Sequence, residues 1–128
     1  MDCNALVWEA AARFEEGDDE GFVACFDPAV KIYNEPELSG VPVIHSREEL
    51  AARLEGSRRL QPGTSMSLRN VEAYGDGVVA DAIIVATAEG EEIAWRLALA
   101  IRVVGDWISE VRPFWRREAA LGSLVDSV

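Results

Sequence analysis

One carboxylate of this chain stands where acid–base chemistry could be carried out. Glu35 occurs in the tripeptide Asn34-Glu35-Pro36, directly after an apolar segment that includes Ile32 and Tyr33. A residue that precedes proline is pushed toward extended backbone angles, so we expect Glu35 at the end of a strand. A carboxylate fixed in that way can act as a general base. The alternative is a loop carboxylate in water, and the sequence leaves both interpretations open.

A second carboxylate interrupts an apolar run. Asp81 lies within Val78–Val85, and every other residue of that run is valine, alanine or isoleucine. A carboxyl group among apolar side chains has its pKa raised by desolvation, so Asp81 could stay protonated and donate a hydrogen bond. In the alternative interpretation Asp81 faces solvent or a partner subunit, and a one-residue bulge would be enough to turn it there.

Composition and charge argue against several classes of function. The 128 residues are expected to form one domain, residues 1–128, around a single core. The formal net charge of −11 disfavours binding to nucleic acid or to an anionic membrane. No apolar run approaches the ~18 residues of a membrane span, and no basic segment opens the chain, so we expect neither a span nor a signal peptide.

The residues that usually hold cofactors are scarce. One histidine and two cysteines are too few for a typical zinc site or a disulfide framework, and the ten glycines are scattered. We therefore expect no metal and no cofactor. The cysteine content is typical of a reduced, cytoplasmic protein.

Periodicity and turn residues predict helices first and long strands afterwards. Helical spacing covers 4–16, with Gly17 as its stop, and Asp18 or Asp19 can cap a short second helix that carries Phe26 and ends before Asp27-Pro28. The remaining elements are a strand at 30–33, a helix from the capping box Ser46–Glu49 to about Gly56, strands at 66–74, 78–88, 93–104 and 108–115, and a weak helical pattern in the tail from Arg116.

The third long strand alternates between two faces. Trp95, Leu97, Leu99, Ile101 and Val103 share one face, and Ala94, Arg96, Ala98, Ala100 and Arg102 share the other. Glu89-Gly90-Glu91 is expected to reverse the chain before it. Helices gathered at one end of the sequence and strands at the other predict an α+β fold.

The order of these elements, with four short motifs, resembles the nuclear transport factor 2-like superfamily, and within it the ketosteroid isomerase and SnoaL-like (polyketide cyclase-like) branch. The motifs are Gly17-Asp18, Tyr33-Asn34-Glu35-Pro36, Ser46-Arg47-Glu48 and Arg112-Pro113-Phe114-Trp115. The resemblance covers essentially the whole chain. It implies three N-terminal helices packed on a strongly curved antiparallel sheet, a cone-shaped α+β barrel that encloses a pocket.

The resemblance also implies roles for individual residues. Glu35 matches the position of the general base of ketosteroid isomerases, at the end of the first strand. Ala10 and Leu99 fall near the two positions that supply the oxyanion hole there, so both usual donors are missing. Matching the hairpin turn to the isomerase pattern places Asp81 on the pocket-facing side together with Ile83. The substrate-binding residues that we expect are Tyr33, Phe26, Ile83, Leu99, Val111 and Trp115.

Three functions follow as hypotheses. The first is a cofactor-independent acid–base enzyme of the isomerase, cyclase or epoxide-opening type, with Glu35 as base and Asp81 as acid, acting on a hydrophobic steroid- or polyketide-like molecule. The second is a non-catalytic small-molecule-binding or scaffold domain. The third is a dimerisation module that uses the polar face of Ala94–Arg102, because this sheet commonly pairs with itself in the family. A homodimer is expected in any of these cases.

Overall fold

The computed structural model describes residues 2–33, 42–60 and 63–125. Helices and strands follow one another in the predicted order, and the weak helical pattern of the tail forms a fourth helix. The elements are α1 (Cys3–Glu15), α2 (Asp19–Val23), β1 (Phe26–Ile32), α3 (Arg47–Leu60), β2 (Ser65–Tyr74), β3 (Gly77–Ala88), β4 (Glu91–Val104), β5 (Trp107–Phe114) and α4 (Arg117–Val125). None of the helices in these ranges combines the length and the apolarity needed to cross a membrane.

The first two helices are bounded by the predicted signals. Gly17 has a φ of +75°, which ends α1, and the Asp18 side chain accepts a hydrogen bond from the Gly21 N–H at 3.0 Å at the start of α2. The predicted extent of α2 is wrong, because this helix ends at Val23 and Phe26 begins β1. The helix does not continue because the backbone pairs with β5 from this point: the Ile108 N–H donates to the Cys25 carbonyl at 2.9 Å.

The Ser46 cap of α3 forms as predicted, but Glu49 binds the N–H of His45 and not that of Ser46, and the predicted stop near Gly56 is wrong. The Glu49 N–H donates to Ser46 Oγ at 3.1 Å, and the Glu49 carboxylate reaches back to the His45 N–H at 3.0 Å. The helix continues to Leu60. Its last turn is held to α1, since the Arg58 guanidinium donates to the Phe14 carbonyl at 3.0 Å.

The five strands form a curved sheet in the order β1-β5-β4-β3-β2. Strands β2 to β5 pair antiparallel, whereas β1 joins the edge of the sheet parallel to β5. The expected antiparallel pairing therefore holds for β2 to β5 but not for β1, and because β1 and β2 do not pair with each other, the curved sheet is not closed into a barrel. The expected α+β class and the layer of helices on a curved sheet are confirmed.

The sheet has two faces, each with its own core. On the inner face, side chains of β3, β4 and β5 pack against α1 and α3, and this core includes Val78, Ala82, Leu99, Ile101 and Val103. On the outer face, Ala120 and Leu124 of α4 pack against Val79, Ala98 and Ala100. The alternation predicted for β4 is thus confirmed, but α4 covers the centre of the face that was expected to be polar.

Candidate functional site

The described residues on the two sides of the segment that carries Glu35 are bonded to β5 and to β1. Glu35 itself lies outside the described residues. Before it, the Tyr33 N–H donates to the Val111 carbonyl at 3.0 Å, and the Ile32 N–H donates to the Ile44 carbonyl at 3.0 Å. These bonds fix the two flanks of the segment at the end of β1, next to the inner face of the sheet.

The inner face brings together three of the predicted substrate-binding residues. Phe26 and Leu99 belong to the inner core, Val111 packs against it, and Ala10 joins it from α1. The two positions that the resemblance compares with those of an oxyanion hole therefore lie in one cluster, but they hold a methyl and an isobutyl group. Neither Ala10 nor Leu99 can donate a side-chain hydrogen bond to a developing oxyanion.

The apolar inner face continues beyond the helices. Helix α1 ends at Glu15, whose carboxylate accepts a hydrogen bond from the Met66 N–H at 3.0 Å. From there Met66 pairs with Ile84, and Ile84 pairs with Trp95, so the three side chains form a row on the inner face. Trp95 is 41% exposed and Ile93, one row further, is 40% exposed. The sheet thus carries an open apolar surface that is continuous with the inner core.

Tyr33 lies on the outer face. Its neighbour Ile32 packs against the inner core, and successive side chains of an extended chain point to opposite sides of a sheet. The guanidinium carbon of Arg112 lies 3.9 Å from the centroid of the Tyr33 ring, in a cation–π contact. Tyr33 is therefore separated from Leu99 and Val111 by the sheet.

Asp81 also lies on the outer face, which differs from the expected pocket-facing placement. The β3–β4 turn contains two residues rather than three, and both Glu89 and Gly90 have positive φ angles, as a type I′ turn requires. Asp81 consequently pairs with Ala98, an outer-core residue, and not with Leu99. A one-residue difference in turn length moves every side chain of a strand to the other face.

The surroundings of Asp81 favour its ionised form. Asn70 Nδ2 donates to one carboxylate oxygen at 2.7 Å, and Arg117 Nη1 donates to the other at 2.9 Å. The hydrogen bond from Asn70 lowers the pKa of Asp81 below its usual value, and Arg117 lowers the pKa further. The expected rise of this pKa is wrong, because desolvation is outweighed by the two donors.

Asp81, Ile83 and Trp115 line one groove on the outer face, with a cavity volume of about 320 Å³. We call it the outer groove. Its other polar lining residues are Arg69, Asn70, Arg96 and Arg117. Two of the residues predicted to bind substrate, Ile83 and Trp115, are thus brought to Asp81, but on the side of the sheet opposite Leu99.

The arginines of the outer groove were not predicted as site residues. Arg96 could have been predicted as a site residue from strand alternation and the turn length, because the two-residue turn places Arg96 and Asp81 on the same face. Arg69 is aligned with Asp81 by a bulge at Asn70, whose φ is +53°. Asparagine tolerates this conformation, which is the one local signal for the bulge. Arg117 reaches Asp81 only through the docking of α4.

The described ranges hold no group of three or more His, Cys, Asp or Glu side chains placed to bind a metal ion. Cys25 is buried, and its Sγ donates to the Gly21 carbonyl at 3.5 Å. Burial raises the pKa of the Cys25 thiol. Its environment is that of a structural cysteine in a core.

The curved sheet with its helices has the fold of nuclear transport factor 2-like proteins. A protein of that class from Burkholderia pseudomallei K96243, of unknown function, superposes with a TM-score of 0.74 at 18% sequence identity, covering 98% of each chain. The model of the SnoaL-like domain family matches residues 7–111. The chain belongs to the SnoaL-like domain family, which confirms the resemblance drawn from its motifs.

Two solved structures from mycobacteria share this fold. RV0760c from Mycobacterium tuberculosis, in complex with estradiol-17β-hemisuccinate, superposes with a TM-score of 0.73 at 14% identity, covering 91% of this chain and 95% of that one. A Δ5-3-ketosteroid isomerase from Mycobacterium sp. gives a TM-score of 0.73 at 17% identity over the same shares. At these identities the likeness shows the fold alone. A comparison with curated proteins found no match.

Proposed function

We propose that the protein binds a hydrophobic small molecule, steroid-like or polyketide-like, on the inner face of its sheet. The observation that carries the proposal is the open apolar surface around Trp95 and Ile93, which is continuous with the inner core. Among the described residues no polar or charged side chain is buried, so the inner core offers apolar contact. The structure of RV0760c with estradiol-17β-hemisuccinate supports a ligand of this class.

Apolar contact is sufficient to hold such a ligand. Removal of apolar surface from water stabilises a complex by about 25 cal/mol per Å². The flat indole of Trp95 suits a planar ring system, and aromatic rings contribute large contact areas at low conformational cost. Specificity would then come from the shape of the inner face and from the few polar groups at its edge.

Acid–base catalysis by Glu35 is the second candidate function. It is favoured by the hydrogen bonds that fix Tyr33 and Ile32 at the end of β1, two and three residues before Glu35. Because Asp81 lies on the other face and Ala10 and Leu99 donate nothing, Glu35 would act as a lone base. Without an oxyanion hole, a base most readily deprotonates a carbon acid whose carbanion is stabilised by delocalisation within the substrate. That favours a β-dicarbonyl, polyketide-like substrate over a simple ketone.

Binding is tested with estradiol and two tryptophan variants. We expect Trp95→Ala to raise the Kd for estradiol about tenfold, a loss of about 1.4 kcal/mol of contact. Trp8→Ala is the matched control, because Trp8 is similarly exposed but lies on α1. Equal Kd values for the native protein and Trp95→Ala, measured by isothermal titration calorimetry, would contradict binding at this surface.

Catalysis is tested with a matched pair of carboxylates. We expect Glu35→Gln to lower turnover of a β-dicarbonyl polyketide or of a Δ5-3-ketosteroid by at least about 100-fold, the usual contribution of a general base. Glu37→Gln is the control, since Glu37 lies two residues further along the same segment. Equal turnover in both variants would remove Glu35 as the base and leave the binding function standing alone.

A homodimer that uses the Ala94–Arg102 face remains a proposal. Because α4 covers Ala98 and Ala100, only the portion around Ala94 and Arg96 is open to a second subunit. Sedimentation of the native protein beside Arg96→Glu would test it. A monomer at all concentrations would end this proposal, and a dimer weakened by Arg96→Glu would support it.

A further inference from the structure

The outer groove is a basic site on an acidic protein. Its lining contains three arginines, Arg69, Arg96 and Arg117, against the single carboxylate of Asp81. The chain as a whole carries a formal net charge of −11. A local excess of positive charge in a concave surface attracts anions at short range, whereas the negative surface around the groove repels them, so the attraction depends on direct contact with the arginines.

Two of the three guanidinium groups are available to a ligand. Arg117 is already engaged by Asp81 at 2.9 Å, by Glu72 at 2.8 Å and by the Asn70 carbonyl at 2.7 Å. Within the described part of the chain, Arg69 and Arg96 make no ion pair or hydrogen bond through their side chains. Each therefore retains its full set of donors for a carboxylate or a phosphate.

The groove also offers apolar contact beside its charge. Trp115 is 60% exposed and borders the groove, and Ile83 is half-buried within it. Although small, a volume of about 320 Å³ lies within the range of pockets that hold small molecules. Two arginines beside an exposed aromatic ring favour a ligand that combines a planar body with an anionic group.

We propose that the outer groove binds a planar organic anion, with a carboxylate or phosphate group held by Arg69 and Arg96 and an aromatic body against Trp115. Arg117 and Asp81 form the fixed wall that positions this site between β3 and α4. The site is separate from the inner face, since the sheet lies between them. It would take a ligand of different chemistry from the hydrophobic molecule proposed there.

The four tryptophans make the two faces distinguishable in one experiment. Trp115 borders the outer groove, Trp95 lies on the inner face, and Trp8 and Trp107 lie on α1 and at the start of β5. In a ¹H–¹⁵N spectrum each indole gives one signal, and Trp115→Phe assigns its own by removing it. On titration with 1-naphthyl phosphate or 1-naphthoate, we expect the Trp115 signal to shift saturably. Comparison of the two probes shows whether the site prefers a phosphate or a carboxylate.

Charge variants decide whether the arginines hold the anion. We expect Arg69→Gln and Arg96→Gln each to raise the Kd of the better probe about tenfold, and the double variant to abolish saturation. Arg53→Gln on α3 is the control, because Arg53 is an exposed arginine outside the groove, and it should leave the Kd unchanged. Retention of indole signal dispersion in every variant verifies folding.

Three outcomes would overturn the proposal. One is the absence of a saturable shift of the Trp115 indole with both probes. Another is equal binding of uncharged 1-naphthol, which would show that the anion is not recognised. The last is an equal increase in Kd for Arg53→Gln, which would show that the effect comes from the total charge of the protein and not from the groove.

Discussion

Asp81 connects three elements through its carboxylate. It belongs to β3, accepts from Asn70 in the bulge of β2, and pairs with Arg117 at the start of α4. The pair is partly exposed, and partly exposed ion pairs usually contribute about 1 kcal/mol or less to stability. Its value at this position is to fix the start of α4, and therefore one wall of the outer groove, against the sheet.

The lowered pKa of Asp81 predicts a pH-dependent contribution to stability. We expect Asp81→Asn to lower the free energy of unfolding at about pH 7 by about 1 kcal/mol. Because the folded pKa of Asp81 lies below its unfolded value of about 3.9, the carboxylate stabilises the fold above that pH and loses this effect as the pH falls through the folded pKa. The difference between native protein and variant should therefore shrink as the pH falls below about 3.9, as measured by urea unfolding.

A matched variant separates this ion pair from general charge effects. Asp76 faces Arg102 at 3.6 Å, and its side chain is 74% exposed. Asp76→Asn should change the free energy of unfolding by less than about 0.5 kcal/mol. A difference for Asp81→Asn that stayed constant from neutral to acid pH would contradict the role given to its charge.

For individual residues, the sequence identified candidates for chemistry better than it predicted their surroundings. The apolar run around Asp81 suggested a raised pKa, but the donor that completes its ion pair, Arg117, is 36 residues away along the chain. Periodicity carries no information about such a contact. The placement of Ala10 and Leu99 in one core was predicted through the resemblance, and the role of Glu35 stays a prediction.

Helix α3 is longer than its sequence suggested because Gly56 does not end it. Gly56 lies inside Arg47–Leu60, and a Cβ added there would meet nothing within 4 Å. Alanine at an open helix position avoids the entropic cost of glycine. We therefore expect Gly56→Ala to raise the free energy of unfolding by about 0.5–1 kcal/mol in urea unfolding.

Gly77 is the contrasting glycine, at the start of β3. A Cβ there would lie 2.8 Å from Leu124 Cδ2 and 3.2 Å from the Ile101 carbonyl oxygen. Gly77→Ala should therefore destabilise the protein by about 1 kcal/mol or more, because α4 must shift or Leu124 must change its rotamer. The destabilisation by Gly77→Ala should be smaller in a Leu124→Ala background.

The two glycine variants check each other. If Gly56→Ala lost stability as Gly77→Ala does, the open position of Gly56 would be refuted.

The elements that could be predicted are those with local signals. The caps at Asp18 and Ser46 predicted two helix starts, and the turn at Glu89-Gly90-Glu91 predicted the adjoining strand ends, each to within two residues. The parallel pairing of β1 with β5 and the docking of α4 have no such signal, since both depend on contacts between distant parts of the chain. The side of the sheet that Asp81 occupies follows from the two-residue β3–β4 turn, whereas the docking of α4 decides which side chains Asp81 meets there.

At the scale of the whole molecule, the sheet separates two chemically different surfaces. The inner face carries apolar side chains beyond α1, and the outer face carries arginines beside α4. Helix α4 is the element that creates this division, because it covers Val79, Ala98 and Ala100 and leaves the outer groove open beside it. The two proposed sites, one for an apolar molecule and one for an anion, therefore lie on opposite faces of one sheet.

The charge of the whole molecule predicts how salt affects its stability. The chain has 23 acidic residues against 12 lysines and arginines, and several arginines are already paired, so the remaining carboxylates repel one another. Raising NaCl from about 10 to about 200 mM shortens the Debye length from about 30 Å to less than 10 Å and screens this repulsion. We expect the Tm at about pH 7 to rise by several degrees, measured by circular dichroism. Near about pH 4.3, where glutamate is half protonated, the rise should disappear. A Tm that fell with NaCl at neutral pH would show that the ion pairs, including Arg117 with Asp81, outweigh the repulsion.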